Sequence, residues 1–188
     1  MKKSLGPKLL VCPTPVLVVG TYDDDGNPNV MTASWGGICC SQPPCVNVSL
    51  RKETYSYHNA IARKAFTLSI PSEEHVRQVD YFGLVSGHHT DKLADAGLTA
   101  ARAQFVDAPY VYEFPLIIEC RLAQTLEIGL HTIFVGEIID VKMDEAALDA
   151  EGNADLGKLK PFCYATDAKK YYRIGEVLAK AFSVGRED

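Results

Sequence analysis

Residues 29–51, NVMTASWGGICCSQPPCVNVSLR, decide how this chain folds. They read as two short strands, over 29–34 and 45–50, on either side of a loop. In the first, Val30, Thr32 and Ser34 alternate with Met31, Ala33 and Trp35, so small side chains, two with hydroxyls, share one face and bulkier groups the other. Gly36-Gly37 permits backbone conformations closed to other residues and lets a ligand approach the main chain. The second strand delivers Arg51 to its end. Hydroxyls, backbone amides and a guanidinium gathered at strand ends make a cradle for a phosphate beside a flat ring. The same letters also fit a β-bend that needs glycines, followed by a surface arginine.

Working outward, residues 16–22 form a continuous apolar run, as expected of a strand buried on both faces, and the Asp-Gly in 23–28 marks a hairpin turn. Downstream of Arg51, Thr54 or Ser56 caps a helix reaching residue 63. Its start aims amides and a hydroxyl at the same place as the guanidinium, which suits an anion. A strand over 65–70 and a helix from 72 to about 85 follow. In SGHHTDK (86–92) the adjacent histidines diverge and lack metal-ligand spacing, so they read as exposed loop residues. Thr90 or Asp91 caps a short helix over 91–96 that holds Lys92 over one spot, and Gly97 ends it. Residues 98–114 read as connection, 115–126 and 131–140 as two long strands, and 143–158 as an exposed excursion. His131, opening a strand, reads on residue type alone as a structural histidine. Phe162, Tyr164, Tyr171 and Tyr172 belong to a late strand, and 177–182 to a terminal amphipathic helix. Six or seven strands joined largely by hairpins give a fold that is mostly β with inserted helices, an antiparallel sheet closed into a barrel.

A chain of 188 residues suits a single domain over 1–188. The net charge of −5, with no basic run, argues against a nucleic-acid partner. No apolar run approaches a membrane span. Pro7, Pro13 and Pro15 interrupt the apolar N-terminal stretch and no cleavage site follows it, which points to a cytoplasmic protein rather than a secreted one. The six cysteines show no C-x-x-C spacing, excluding a zinc ribbon and a thioredoxin motif; most read as small buried side chains. In an extended chain Cys39 and Cys40 point opposite ways. Neither G-x-G-x-x-G nor the P-loop motif occurs.

The runs TASWGGICCSQPPCVNVSLRKETYSYHNAI (32–61), SGHHTDKLADAGL (86–98) and HTIFVGEIID (131–140), in that order, resemble the flavin reductase-like family of FMN-binding split barrels. The resemblance extends from Cys12 to about Arg173. It implies an antiparallel split β-barrel, a homodimer, and FMN in each subunit near the dimer interface. It places the flavin along Met31, Thr32, Ala33, Ser34 and Trp35, with Cys39 and Cys40 beside the ring. Arg51, Thr54, Ser56 and Lys92 fall where phosphate or ribityl oxygens are held, and His131 near the flavin. The implied activity is redox, with electrons carried through FMN from a partner protein. The alternatives are an NAD(P)H-dependent flavin or ferric reductase and a non-catalytic FMN-binding module. No side chain is required as general base, so Arg51 and Lys92 are binding groups; Cys40 is either an electron-shuttling thiol or packing.

Overall fold

The computed structural model describes residues 1–186. Its main sheet holds seven strands in the order β3-β2-β6-β9-β10-β5-β4, every neighbouring pair antiparallel. After β1 (Thr14–Pro15), these are β2 (Leu17–Tyr22), β3 (Pro28–Ala33), β4 (Gly36–Ser41), β5 (Pro44–Arg51), β6 (Ala65–Ile70), β9 (Leu116–Ile128) and β10 (His131–Met143). The outermost strands, β3 and β4, are separated in sequence by Ser34 and Trp35 alone. A sheet whose two edges are tied so closely must roll up. The amide of Ser49 on β5 donates to the Trp35 carbonyl at 2.8 Å and closes the roll there. Away from that tie, the gap between β3 and the end of β5 stays open. The result is an antiparallel split barrel.

The apolar run of β2 is buried on both faces. Leu17 and Val19 pack inside the barrel with Val46, Val48, Leu50, Phe66 and Phe134. Val16 and Val18 face a second core with Val30, Val79, Phe82, Leu93 and Phe114. Each fully buried phenylalanine contributes ~1.5–3 kcal/mol, so the inner core holds the barrel and the outer core binds the helices to it. Those helices are α1 (Tyr55–Arg63), α2 (Val76–Leu84) and α3 (Lys92–Ala96). Asp91 caps α3 by accepting from the Ala94 amide at 3.1 Å, and Gly97 ends it at φ +66°, both as the sequence requires.

Five expectations need correction. Residues 36–41, read as loop, form strand β4 paired to β5. Gly36 is needed for space rather than for conformation: a Cβ there would lie 2.4 Å from the Asn47 carbonyl oxygen and 3.0 Å from Leu17 Cδ1. Residues 98–114 contain a small hairpin of β7 (Ala100–Arg102) and β8 (Pro109–Val111). The late strand is two, β11 (Phe162–Ala165) and β12 (Lys170–Arg173), which follow the short α4 (Leu156–Leu159) and pair with each other, β11 also with β1. The terminal helix over 177–182 does not form; Val177 and Leu178 are 91% and 100% exposed, so a short helix there has no surface to pack on. Most cysteines are not buried either: only Cys45 and Cys120 are, while Cys12, Cys39 and Cys40 are exposed. Among the described residues no helix is long and apolar enough to cross a membrane.

Candidate functional site

The open side of the barrel carries a cleft of about 310 Å³, lined by β3 (Asn29, Met31, Thr32), the 51–56 segment, residues 82–87 and Lys92. Three features make it receptive to an anion.

The first is Lys92. It is 5% exposed, and its ammonium donates to the carbonyls of Val30 (2.9 Å) and Phe82 (3.0 Å), tying the end of α2 to the edge of β3. Both partners are neutral, and no carboxylate among the described residues forms an ion pair with it. Burial lowers its pKa to about 8, because a charge removed from water without a counter-ion is penalised. An ammonium carries three donors; two are used, leaving one for a ligand.

The second is the start of α1. Thr54 stands at the N-cap but its side chain makes no capping bond, and the first turn holds no acidic residue. Its hydroxyl donates instead to the Arg51 carbonyl at 2.8 Å. The amides of Tyr55 and Ser56 have no partner among the described residues, which leaves the positive end of the helix uncompensated. Ser56, 1% exposed, accepts from Asn29 Nδ2 at 2.8 Å, so its own proton remains free to donate. Asn29 needs the glycine beside it, since a Cβ on Gly87 would lie 2.1 Å from Asn29 Oδ1.

The third is the unpaired edge of β3. β3 pairs with β2 alone and forms one edge of the sheet. In an antiparallel ladder a residue's amide and carbonyl face the same side, and alternate residues repeat it. Alternate residues of β3 therefore turn their backbone groups away from β2, toward the opening.

Beyond Thr32 the chain passes into a second cleft of about 490 Å³, lined by Ser34, Trp35, Gly36, Gly37, Ile38 and the N-terminal residues Leu9, Val11 and Pro13 among others. His131 packs on Trp35 with ring centroids 4.7 Å apart and lies directly across the ladder from Arg51. Most of the residues singled out in the sequence thus meet around the two clefts: Thr54, Ser56 and Lys92 at one end, Met31 and Thr32 in the middle, Ser34 and Trp35 at the other, with Arg51 lining the first cleft and its cross-strand neighbour His131 packed on Trp35. Not all point to a ligand. The Thr32 hydroxyl is committed to the Val79 carbonyl, and Ala33 is buried in the core, leaving only its backbone. Arg51 is at the rim, 3.5 Å from Glu53. Cys39 and Cys40 line neither cleft and stand exposed on the β4–β5 hairpin. His88 and His89 are exposed, His88 against Tyr55, and no metal-binding group of three occurs among the described residues. Asn29 and Gly87 escaped sequence reasoning; the one local hint is an asparagine opening a strand that should be apolar.

The family model described as "Flavin reductase like domain" matches residues 9–173. The chain belongs to the flavin reductase-like family. It is a flavin-binding redox protein. Its structure is similar to that of flavoredoxin from Desulfovibrio vulgaris (Miyazaki F), with 53% identity, a TM-score of 0.95, and 99% of this chain and 100% of that one covered. A flavoredoxin from Methanosarcina acetivorans is similar at 28% identity and a TM-score of 0.92, over 99% of this chain and 98% of that one. The high molecular weight rubredoxin of Moorella thermoacetica is 28% identical over 78% of this chain and 58% of its own length.

Proposed function

We propose that the flavin is FMN and that the chain, acting as one domain, is an electron-transfer protein of the flavoredoxin type. The observation that carries the choice of FMN is Lys92: a buried ammonium with neutral partners, in a cleft whose other walls offer donors. A phosphate supplies the missing negative charge, and a flavin lacking one would leave the cost of that charge unmet. Lys92, the Ser56 hydroxyl, the α1 amides and Arg51 hold the phosphate. The ribityl chain and ring follow the open edge of β3 from Met31 and Thr32 past Ala33 and Ser34 toward Trp35 and His131.

Bound there, FMN supplies hydride or electron acceptance, and the chain's own residues bind and orient it. The β3 edge amides favour negative charge on whatever faces them, and Trp35 limits access from the second cleft. The electron-carrier reading rests on the likeness to the flavoredoxins and on the rubredoxin relative. Anaerobic mixing tests it. Reduced rubredoxin-type protein should bleach the bound flavin while NADH and NADPH leave it oxidised; rapid bleaching by a nicotinamide would make the protein a flavin reductase instead.

A homodimer completes the second cleft in this reading. Leu9, Val11 and Ile38 around it are 73%, 79% and 83% exposed, and apolar side chains clustered in this way favour a partner surface. Light scattering should give twice the chain mass; a monomer that retains FMN fully would remove the dimer from the account.

A further inference from the structure

The β4–β5 hairpin brings together three thiols that the flavin site does not use. Cys40 and Cys45 are direct cross-strand partners. Cys39 is the residue bulged between that pair and the pair Ile38–Val46. A bulge sets two residues of one strand against one of the other, so adjacent cysteines that would diverge in a regular strand both stand opposite Cys45. Their closeness shows in the Cys45 thiol, whose pKa is raised by burial and further by Cys40 and Cys39. All three thiols are free. No group of three residues that could hold a metal ion occurs among the described residues. Directly opposed residues of an antiparallel pair have Cα atoms ~4.5–5.5 Å apart, inside the ~4.4–6.8 Å span of disulfides.

We propose that Cys40 and Cys45 are a redox-active dithiol that closes to an intrachain disulfide by exchange with a low-molecular-weight disulfide. Cys40, exposed at the edge strand, is the attacking group. Its thiolate attacks one sulfur of the small disulfide, whose S–S bond breaks and whose other half leaves as thiolate, taking up the proton Cys40 released. The Cys45 thiolate then attacks Cys40 Sγ in the mixed disulfide and expels the second small thiol, which takes the Cys45 proton. Two protein thiols lose two electrons and one disulfide gains them, so no further reagent is needed. Cys120 takes no part: it is fully buried, with its thiol pushed up to about 12, mainly by burial. The closed bond staples β4 to β5 at the far end of the strand that begins beside Trp35.

The test needs no flavin and is independent of the FMN reading. The purified protein is incubated with glutathione disulfide, quenched in acid, alkylated and mapped by peptide mass spectrometry. The expected tryptic peptide, residues 9–51, loses the mass of two hydrogens, with Cys40 and Cys45 protected, Cys12 and Cys39 alkylated, and full reversal by dithiothreitol. Cys39→Ser should still close. Cys40→Ser, at an exposed position, should not, and Cys45→Ser should trap glutathione on Cys40. Six alkylatable thiols after treatment, a glutathione adduct persisting on Cys40 of the unaltered protein, or a bond to any other cysteine would overturn the proposal.

Discussion

Two lysines in this molecule reach buried partners, and they fare differently. Lys142 reaches the fully buried Glu119 and also Asp140; Glu119 accepts in addition from the amides of Gln104 (3.0 Å) and Phe105 (2.7 Å). Burial works against the Lys142 charge, but hydrogen bonds to Asp140 and Glu119 outweigh it and raise its pKa. On Lys92 burial acts alone, and its pKa falls to about 8. The first cluster closes on itself and anchors the 104–105 loop to β9. The second has only neutral partners and opens onto a cleft. The charge answered from within is architecture, whereas the one answered only by carbonyls is the binding group of the proposed FMN site.

The largest expected effect separates the two directly. Lys92→Met should weaken FMN binding by ~1.5–3 kcal/mol, roughly 10- to 100-fold, the scale of a charge-assisted hydrogen bond. Lys142→Met should leave FMN affinity in place and lower unfolding stability by ~1–3 kcal/mol, because Glu119 loses a partner. Fluorescence titration and denaturant melts on both variants check this. If both lose flavin equally, the distinction between the lysines fails.

The pH dependence sharpens it. In the flavin-free protein Lys92 deprotonates near pH 8; a bound phosphate raises that pKa, so above about 8 binding must take up a proton. FMN affinity should then fall as pH rises from 8 to 9.5, by up to about tenfold per unit. The phosphate is already dianionic there, its second pKa being about 6. By the same linkage the flavin-free protein gains stability between pH 8 and 10.5, where the unfolded chain holds more protons than the folded one. Lys92→Met should flatten both slopes, as read from titrations and melts across that range.

The smallest effect belongs to Arg51. Its side chain is 53% exposed and already faces Glu53, so solvent and a competing carboxylate both dilute it. Arg51→Ala should cost ~1 kcal/mol or less, a few-fold in FMN affinity. A loss matching that of Lys92→Met would place the main phosphate contact at the rim.

Much of this arrangement was legible in the letters. The Asp-Gly turn, the doubly buried β2 and the capped α3 each follow from local chemistry, and α3 is what carries Lys92 into place. What escaped depends on contacts between distant residues. Gly36 looks like a bend until the Asn47 carbonyl is seen against it, and the glycines and prolines around it hid strand β4. Asn29 and Gly87 matter only because each leaves room for the other beside Ser56. The apolar residues over 177–182 have the pattern of a helix but no neighbour to bury it. The Cys39–Cys40 pair turns toward one partner through a bulge, a feature that alternation alone does not predict.

The most direct test is a paired equilibrium titration of the flavin-free protein with FMN and with riboflavin, which differs only in lacking the phosphate, repeated on Lys92→Met. The unaltered protein should prefer FMN by roughly tenfold or more, and the preference should collapse in the variant. Equal affinity for the two flavins in the unaltered protein would contradict it.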